Sequence, residues 1–218
     1  GCGYVLGGIG KLGEAIRLRE RLLSIEPLYA VNYFQYARLL AATGRLDDAD
    51  KYLRTSEEVD GPHPLEHLKL ALLRGDANAA LEVARQAPRQ DRDFFMTVAT
   101  QISPDRAVAD KWLAVMLADK AWVEQQHGSD GYDNSYGVAQ VYALRGNADR
   151  TLEWLERALA GNSSRDLFLL ADPILLRFRE DPRLIALCRK LGLPPPSESE
   201  ALGIDHIRAM VRTKAGRE

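Results

Sequence analysis

Two stretches of the chain repeat one another at a fixed interval. Gly10, Leu12 and Ala15 recur as Gly44, Leu46 and Ala49, each pair 34 residues apart, and Gly3 recurs as the small residue Ala37. Self-similarity at such a period marks supersecondary units that cannot bury their apolar face alone and must stack on their neighbours. The residue chemistry says what the unit is. Tyr33, Tyr36 and Leu40 fall at helical spacing and predict the inner stripe of a first helix. Gly44 suits the left-handed residue that ends it. Ala49 is small enough for a second helix to approach closely, and Leu53 continues that helix's inner face. Pro27 stops the second helix of the preceding unit. Each unit therefore reads as a helical hairpin.

Further units follow less regularly. In 132–165, Val138, Ala139 and Tyr142 mark a first helix, and Trp154, Leu155, Ala158 and Leu159 the inner face of a second. In 64–88, Leu65, Leu68, Leu70, Ala71 and Leu72 lie on a first helix, Gly75 turns, and Ala80, Ala84 and Ala87 lie on a second; this unit is about three residues short of the period. The stretch 91–126 is helical but off the pattern, with helices expected over 93–102 and 104–126 that carry Trp112 and Trp122.

Composition narrows the function. The chain is 46% hydrophobic and 28% charged, which suits a packed core. Its 29 basic and 31 acidic residues leave a net charge of −2, without the basic footprint of a nucleic-acid binder, so no direct nucleic-acid contact is expected. No apolar run approaches the ~18 residues of a membrane span. Two cysteines, Cys2 and Cys188, make no disulfide framework and read as small buried hydrophobes in a reducing compartment.

Two motifs imitate catalytic sites. Gly8, Gly10 and Gly13 match the spacing of a dinucleotide loop, but no strand precedes them and Gly10 is already the repeat turn. His63, Glu66 and His67 match a zinc-hydrolase pattern that needs both imidazoles on one helix face. Pro64 is the natural start of that helix and leaves His63 outside it. No catalytic residue, metal or cofactor is expected. The polar segment 127–136 reads as a connector, with ligand contact as its functional alternative.

Taken together, residues 1–165 resemble the tetratricopeptide (TPR) family. The segment that follows resembles the end of TPR regions in bacterial regulators, through Asp172-Pro173, Asp181-Pro182-Arg183 and Leu191-Gly192-Leu193-Pro194. The resemblance implies an all-α fold, a right-handed superhelical solenoid of TPR hairpins closed by a C-terminal capping helix. Repeats are expected near 1–29, 30–63 and 64–90, an irregular stretch over 91–131, a repeat over 132–165 and capping helices over 166–193. A proline linker and amphipathic tail are expected over 194–218, the tail docking back or binding a partner. In this family, first-helix positions one turn apart line a peptide groove. By register these are Val31, Phe34, Arg38 and Ala41, and again Asp133, Tyr136, Gln140 and Ala143. Phe34 and Arg38 stand where chaperone-binding members carry Lys and Asn, so an extended or helical peptide is expected rather than a chaperone tail. The implied function is a non-catalytic protein-interaction scaffold in a bacterial signalling or transcription regulator, such as a winged-helix regulator or a class III nucleotide cyclase. It would bind a protein or peptide partner or a domain of its own parent. A free-standing adaptor or assembly factor, exported or not, is the alternative. Exposed terminal repeats commonly pair, which makes a homodimer a candidate assembly. The chain opens on Gly1 inside a repeat and reads as a segment of a larger protein. The cytoplasm is expected, or the periplasm if an anchor or signal peptide lies upstream.

Overall fold

The computed structural model of the chain describes residues 2–127, 135–160 and 164–217. These form twelve α-helices and no strand: α1 (Cys2–Gly8), α2 (Leu12–Ile25), α3 (Ala30–Ala42), α4 (Leu46–Asp60), α5 (Pro64–Arg74), α6 (Ala77–Gln86), α7 (Arg92–Thr100), α8 (Arg106–His127), α9 (Ser135–Leu144), α10 (Ala148–Ala160), α11 (Pro182–Lys190) and α12 (Ile204–Ala215). The all-α class is what the sequence pattern implied. Among the described residues no helix is long and apolar enough to cross a membrane. Two compact units emerge, Gly1–Arg74 with Leu167–Glu218, and Gly75–Asp166.

In the first unit, α2 packs on α1 and α3, and α3 on α4. Leu12, Ala15, Leu40, Ala49 and Leu53 are fully buried at these contacts. Gly44 adopts φ +81 in the turn between α3 and α4, a conformation that side chains on Cα disfavour. Asp47 and Asp48 occupy the first turn of α4, where the helix dipole favours carboxylates. Arg19 is an exception to the apolar core. It lies 34 residues before the buried Leu53, is itself only 9% exposed, and donates to Asn32 Oδ1 at 3.0 Å. Burial lowers the pKa of its guanidinium.

Helix α5 has buried residues all round its second half, Leu68, Leu70, Ala71, Leu72 and Leu73. A helix of that kind needs cover on more than one side. It packs against α3 and α4, and α12 packs on it as well, burying Ile204 and Ile207 completely. The segment expected as a linker runs straight into this packing. Pro196 is buried and opens a short 3-10 turn (Pro196–Glu198). From there the chain serves the α1–α2 turn and two helix ends in succession. The Glu200 N–H donates to the Gly10 carbonyl at 3.0 Å, and the Leu202 N–H to the Ala42 carbonyl at 2.8 Å. The Arg208 guanidinium then donates to the Leu72 carbonyl through Nε (3.0 Å) and Nη2 (2.7 Å). The last carbonyls of a helix have no partner inside it, so residues 200–208 act as a strap that satisfies them. The strap is itself anchored. Arg179 donates to the Ser199 and Ala201 carbonyls, and Arg177 grips Asp205 through two bonds of 2.7 and 2.8 Å.

An aspartate before a proline suits a helix N-cap followed by Pro at the first helical position, and the two Asp-Pro pairs differ in how far they follow it. Asp181 accepts from the Arg183 N–H and Pro182 is the first residue of α11, which buries Leu184, Leu187 and Cys188. Asp172 accepts from the Ile174 N–H at 2.9 Å, but a 3-10 turn over Leu175–Phe178 follows rather than an α-helix. Burial pushes the Cys188 thiol up to about 11, so it stays protonated near neutral pH and is a poor nucleophile. The Cys2 side chain lies outside the described residues.

In the second unit, α6 packs on α7, α7 on α8, and α9 on α10. Gln101, at the end of α7, links that helix to Arg145 just beyond α9. It is 1% exposed, donates to the Thr97 carbonyl at 2.6 Å, and accepts from Arg145 Nε at 2.6 Å. Arg145 also reaches Asp110 at 2.7 Å. Trp112 and Trp154 are half-buried rather than core, and Arg157 covers the Trp154 ring. The Trp122 side chain lies outside the described residues.

Candidate functional site

The four positions predicted on α3 form a row: Val31 exposed, then Phe34, Arg38 and Ala41 half-buried. Their spacing of three to four residues puts them on one helix face. The start of α5 completes the surface. The Phe34 ring tilts against the His63 ring with centroids 4.8 Å apart. The Arg38 guanidinium lies 5.7 Å from the Phe34 centroid and 4.6 Å from that of Phe168, so it is held between two aromatic faces. Glu66 Oε1 sits 4.0 Å from Arg38 Nε and 2.8 Å from Lys69 Nζ. Burial raises the Glu66 pKa, but Lys69 and Arg38 outweigh it and hold the carboxyl below its ordinary range. The result is a fixed shelf of aromatic and cationic surface with its charge balanced from below.

The zinc-like motif is taken apart by the same contacts. His63 precedes α5, and its Nε2 lies 3.2 Å from Ser56 Oγ. Ser56 is fully buried and gives its only proton to the Ala30 carbonyl at 3.1 Å. His63 must therefore donate to Ser56, which rules out its acting as a base on that hydroxyl. His67 Nε2 bonds Glu57 Oε1 at 2.9 Å, and its Nδ1 faces Asp50 at 3.7 Å. Glu66 is engaged with cations instead. The three motif residues thus point to three different partners. Among the described residues no group of three or more His, Cys, Asp or Glu is placed to hold a metal ion.

Glu57 ties α4 to α5 and has a pH signature. Its Oε1 accepts both from the His63 N–H at 2.8 Å and from His67. Burial works against its charge, but these two donors win and keep the carboxyl below its ordinary range. A depressed folded-state pKa means that the unfolded chain takes up the proton first as pH falls. The contribution is complete above about pH 4.3, the free glutamate value, and is lost as pH drops through the folded value. Glu57→Gln should therefore lower the melting temperature at pH 6 by more than at pH 3. Melts at the two pH values check this, and an equal deficit at both would contradict it.

The second predicted row lies in the other unit and looks different. Helix α9 is buried along its length except at Gln140 and Tyr142, which are half-buried. Tyr136 is 8% exposed and Ala143 fully buried. Asp133 and most of the 127–136 segment lie outside the described residues. Sequence register alone missed three members of the α3–α5 shelf: His63, Glu66 and Phe168. Only His63 and Glu66 gave any signal, and that signal pointed to zinc.

No family model, curated protein or solved structure matches the chain. The reading of the shelf therefore rests on its own geometry.

Proposed function

We propose that the chain is a non-catalytic scaffold for protein–protein interaction, in which each unit is a stack of TPR-type helical hairpins. The observation that carries the proposal is a burial register that repeats along the chain. Gly10, Gly44, Gly75 and Gly146 all take φ between +74 and +83 in turns. Five residues after each stand Ala15, Ala49, Ala80 and Thr151, none more than 1% exposed. Nine residues after each stand Arg19, Leu53, Ala84 and Leu155, none more than 9% exposed. Seven residues before the last three stand Ala37, Leu68 and Ala139, again buried. Around Gly10, Gly44 and Gly146 the flanking helices pack as a pair, and that hairpin with its turn glycine and small residue supports the TPR reading over an irregular bundle. The turn between α7 and α8 departs from it, with no glycine between Gln101 and Asp105.

The shelf on α3 and α5 is the surface we assign to a peptide or protein segment. Aromatic and arginine side chains are the commonest energetic anchors of interfaces. Arg38 is pinned by Phe168 and neutralised by Glu66, so the shelf suits an apolar or aromatic segment better than a free carboxylate. Attachment to a bacterial signalling or transcription regulator is part of the proposal. It is supported by the likeness of the Asp172-Pro173 and Asp181-Pro182 segment to the ends of TPR regions in such regulators.

Selection of peptides from a displayed library on the purified chain tests the function. Enriched peptides should lose at least about tenfold in affinity with Phe34→Ala or Arg38→Glu, as truncated hot spots do. Circular dichroism of both variants verifies that they fold. Failure to enrich any peptide, or enrichment indifferent to both substitutions, would sink the reading.

A further inference from the structure

The contacts that hold α12 change in character along the helix. Its first half buries Ile204 and Ile207 completely, and Arg208 donates to the Leu72 carbonyl. Its second half meets the α3–α4 turn through the side chain of Met210. The Met210 Cε and Sδ lie 3.5 and 3.6 Å from the point a Cβ on Gly44 would occupy, and Leu202 Cδ1 lies 3.2 Å from the same point. The bare Cα of Gly44 is thus what lets the thioether and Leu202 close over the turn. Farther along, Lys214 bonds Asp47 at 2.7 Å. Those two side chains are 67% and 72% exposed, and an ion pair so open to water contributes little. The apolar contact of Met210 is the firmer hold.

The same thioether is open to solvent. Met210 is 45% exposed and lines an open groove of about 460 Å³ along the outer side of α12. The chain has three methionines, and the other two are more enclosed: Met96 is half-buried and Met116 is 6% exposed. Cys188 is fully buried and its thiol stays protonated, which makes it a poor nucleophile toward peroxide.

We propose that Met210 is an oxidation site, and that its conversion to the sulfoxide by a peroxide unlatches the second half of α12. The sulfur lone pair attacks one oxygen of hydrogen peroxide. The O–O bond breaks as the S–O bond forms, the second oxygen leaves as water, and the thioether has lost two electrons. The product is polar where the thioether was apolar. Against Gly44 and Leu202 its oxygen is either stripped of water or swung outward, and both outcomes weaken the contact. Ile204 and Ile207 stay buried, so α12 frays from its C-terminal end rather than detaching. Fraying that passes Met210 next reaches Arg208 and its bonds to the Leu72 carbonyl, which loosens the cover of α5. A methionine sulfoxide reductase reverses the step, taking two electrons from a dithiol and releasing the oxygen as water. None of this depends on whether the α3–α5 shelf binds a peptide.

Peroxide treatment of the full chain tests the proposal, in a Cys2→Ser background that removes a competing thiol. Peptide mass mapping should find one added oxygen on Met210 before Met96 or Met116. The oxidised chain should melt about 4 °C lower, and amides of residues 208–215 should exchange hydrogen at least about threefold faster while those of α9 keep their rates. Met210→Leu keeps the apolar contact and removes the target, so peroxide should leave its melting temperature and exchange unchanged. Met210→Gln is polar and of similar length, and should reproduce the oxidised chain without peroxide. Methionine sulfoxide reductase with dithiothreitol should restore the oxidised protein. The proposal is overturned if Met210 is oxidised no sooner than Met116, if the oxidised chain melts and exchanges like the untreated one, or if the Met210→Leu chain loses as much stability on the same treatment.

Discussion

Ile207→Asp should lower the melting temperature by about 10 °C, whereas Ala209→Gln, two residues along the same helix, should change it by no more than about 2 °C. Ile207 is fully buried between α12 and α5, and full burial of such a side chain contributes about 1.5–3 kcal/mol. An aspartate there loses that contribution and places an ionised carboxylate in an apolar contact, which costs several kcal/mol more unless a partner is found. The chain has a cheaper response, which is to release α12. Release uncovers the part of α5 on which α12 packs and leaves the Leu72 carbonyl without Arg208. The cost of the substitution is then capped at the contribution of the docked helix, so the loss should be large but not unbounded. Ala209 is exposed and glutamine is a good helix former, so nothing comparable happens at that position. Thermal melts by circular dichroism read both effects. Equal shifts for the two variants would mean that α12 does not hold the first unit together.

The repeat in the sequence was legible for the α1–α2, α3–α4 and α9–α10 hairpins because each depends on local chemistry. In the repeat expected over 64–90, by contrast, the division between the two units falls between α5 and α6, and α6 packs on α7 instead. Gly10, Gly44, Gly75 and Gly146 each take a left-handed turn, and a small buried residue (Ala15, Ala49, Ala80, Thr151) follows at a fixed distance, so short-range pattern was enough. The off-pattern helices α7 and α8 were equally legible from their apolar spacing. What the sequence could not supply was long-range. Nothing local says that Glu200, Leu202 and Arg208 will meet Gly10, Ala42 and Leu72, because a backbone N–H carries no side-chain signature. The run Leu70-Ala71-Leu72-Leu73 in α5 was the available clue: consecutive apolar residues spread round a helix demand a second cover, and the amphipathic tail with Ile204 and Ile207 was the natural candidate. At the shelf, register found Phe34 and Arg38 but not Phe168, which arrives from 130 residues beyond Arg38. The His63, Glu66 and His67 spacing suggested a metal pattern, and the partners Ser56, Lys69 and Glu57 that resolve it are visible only once the helices are packed.

Gly10→Ala should lower the melting temperature at least twice as far as Gly192→Ala, and the excess should vanish when α12 has been released. Both glycines have positive φ, +83 and +69, and alanine in that region is strained by roughly 1 kcal/mol or more at either. Their surroundings differ. A Cβ on Gly192 meets nothing within 4 Å, whereas one on Gly10 would lie 2.9 Å from the Cα and Cβ of Ser199. Ser199 is fixed there, since its hydroxyl donates to the Leu170 carbonyl and the next residue's N–H bonds the Gly10 carbonyl itself. Backbone cannot yield as a flexible side chain does, so the strap must move and those hydrogen bonds lengthen. Gly192→Ala should then cost about 2–4 °C, and Gly10→Ala about 8 °C, for a chain of this size. Gly44→Ala should fall between them, because its Cβ would meet the flexible end of Leu202 at 3.2 Å. Combination with Ile207→Asp separates strain from contact. If the strap and α12 leave together, Gly10→Ala in that background should cost no more than Gly192→Ala, a coupling of about 1–2 kcal/mol between residues almost 200 positions apart. Full additivity would show instead that the strap stays against the α1–α2 turn on its own, through the Glu200 and Ser199 hydrogen bonds, and that α12 is docked independently of it.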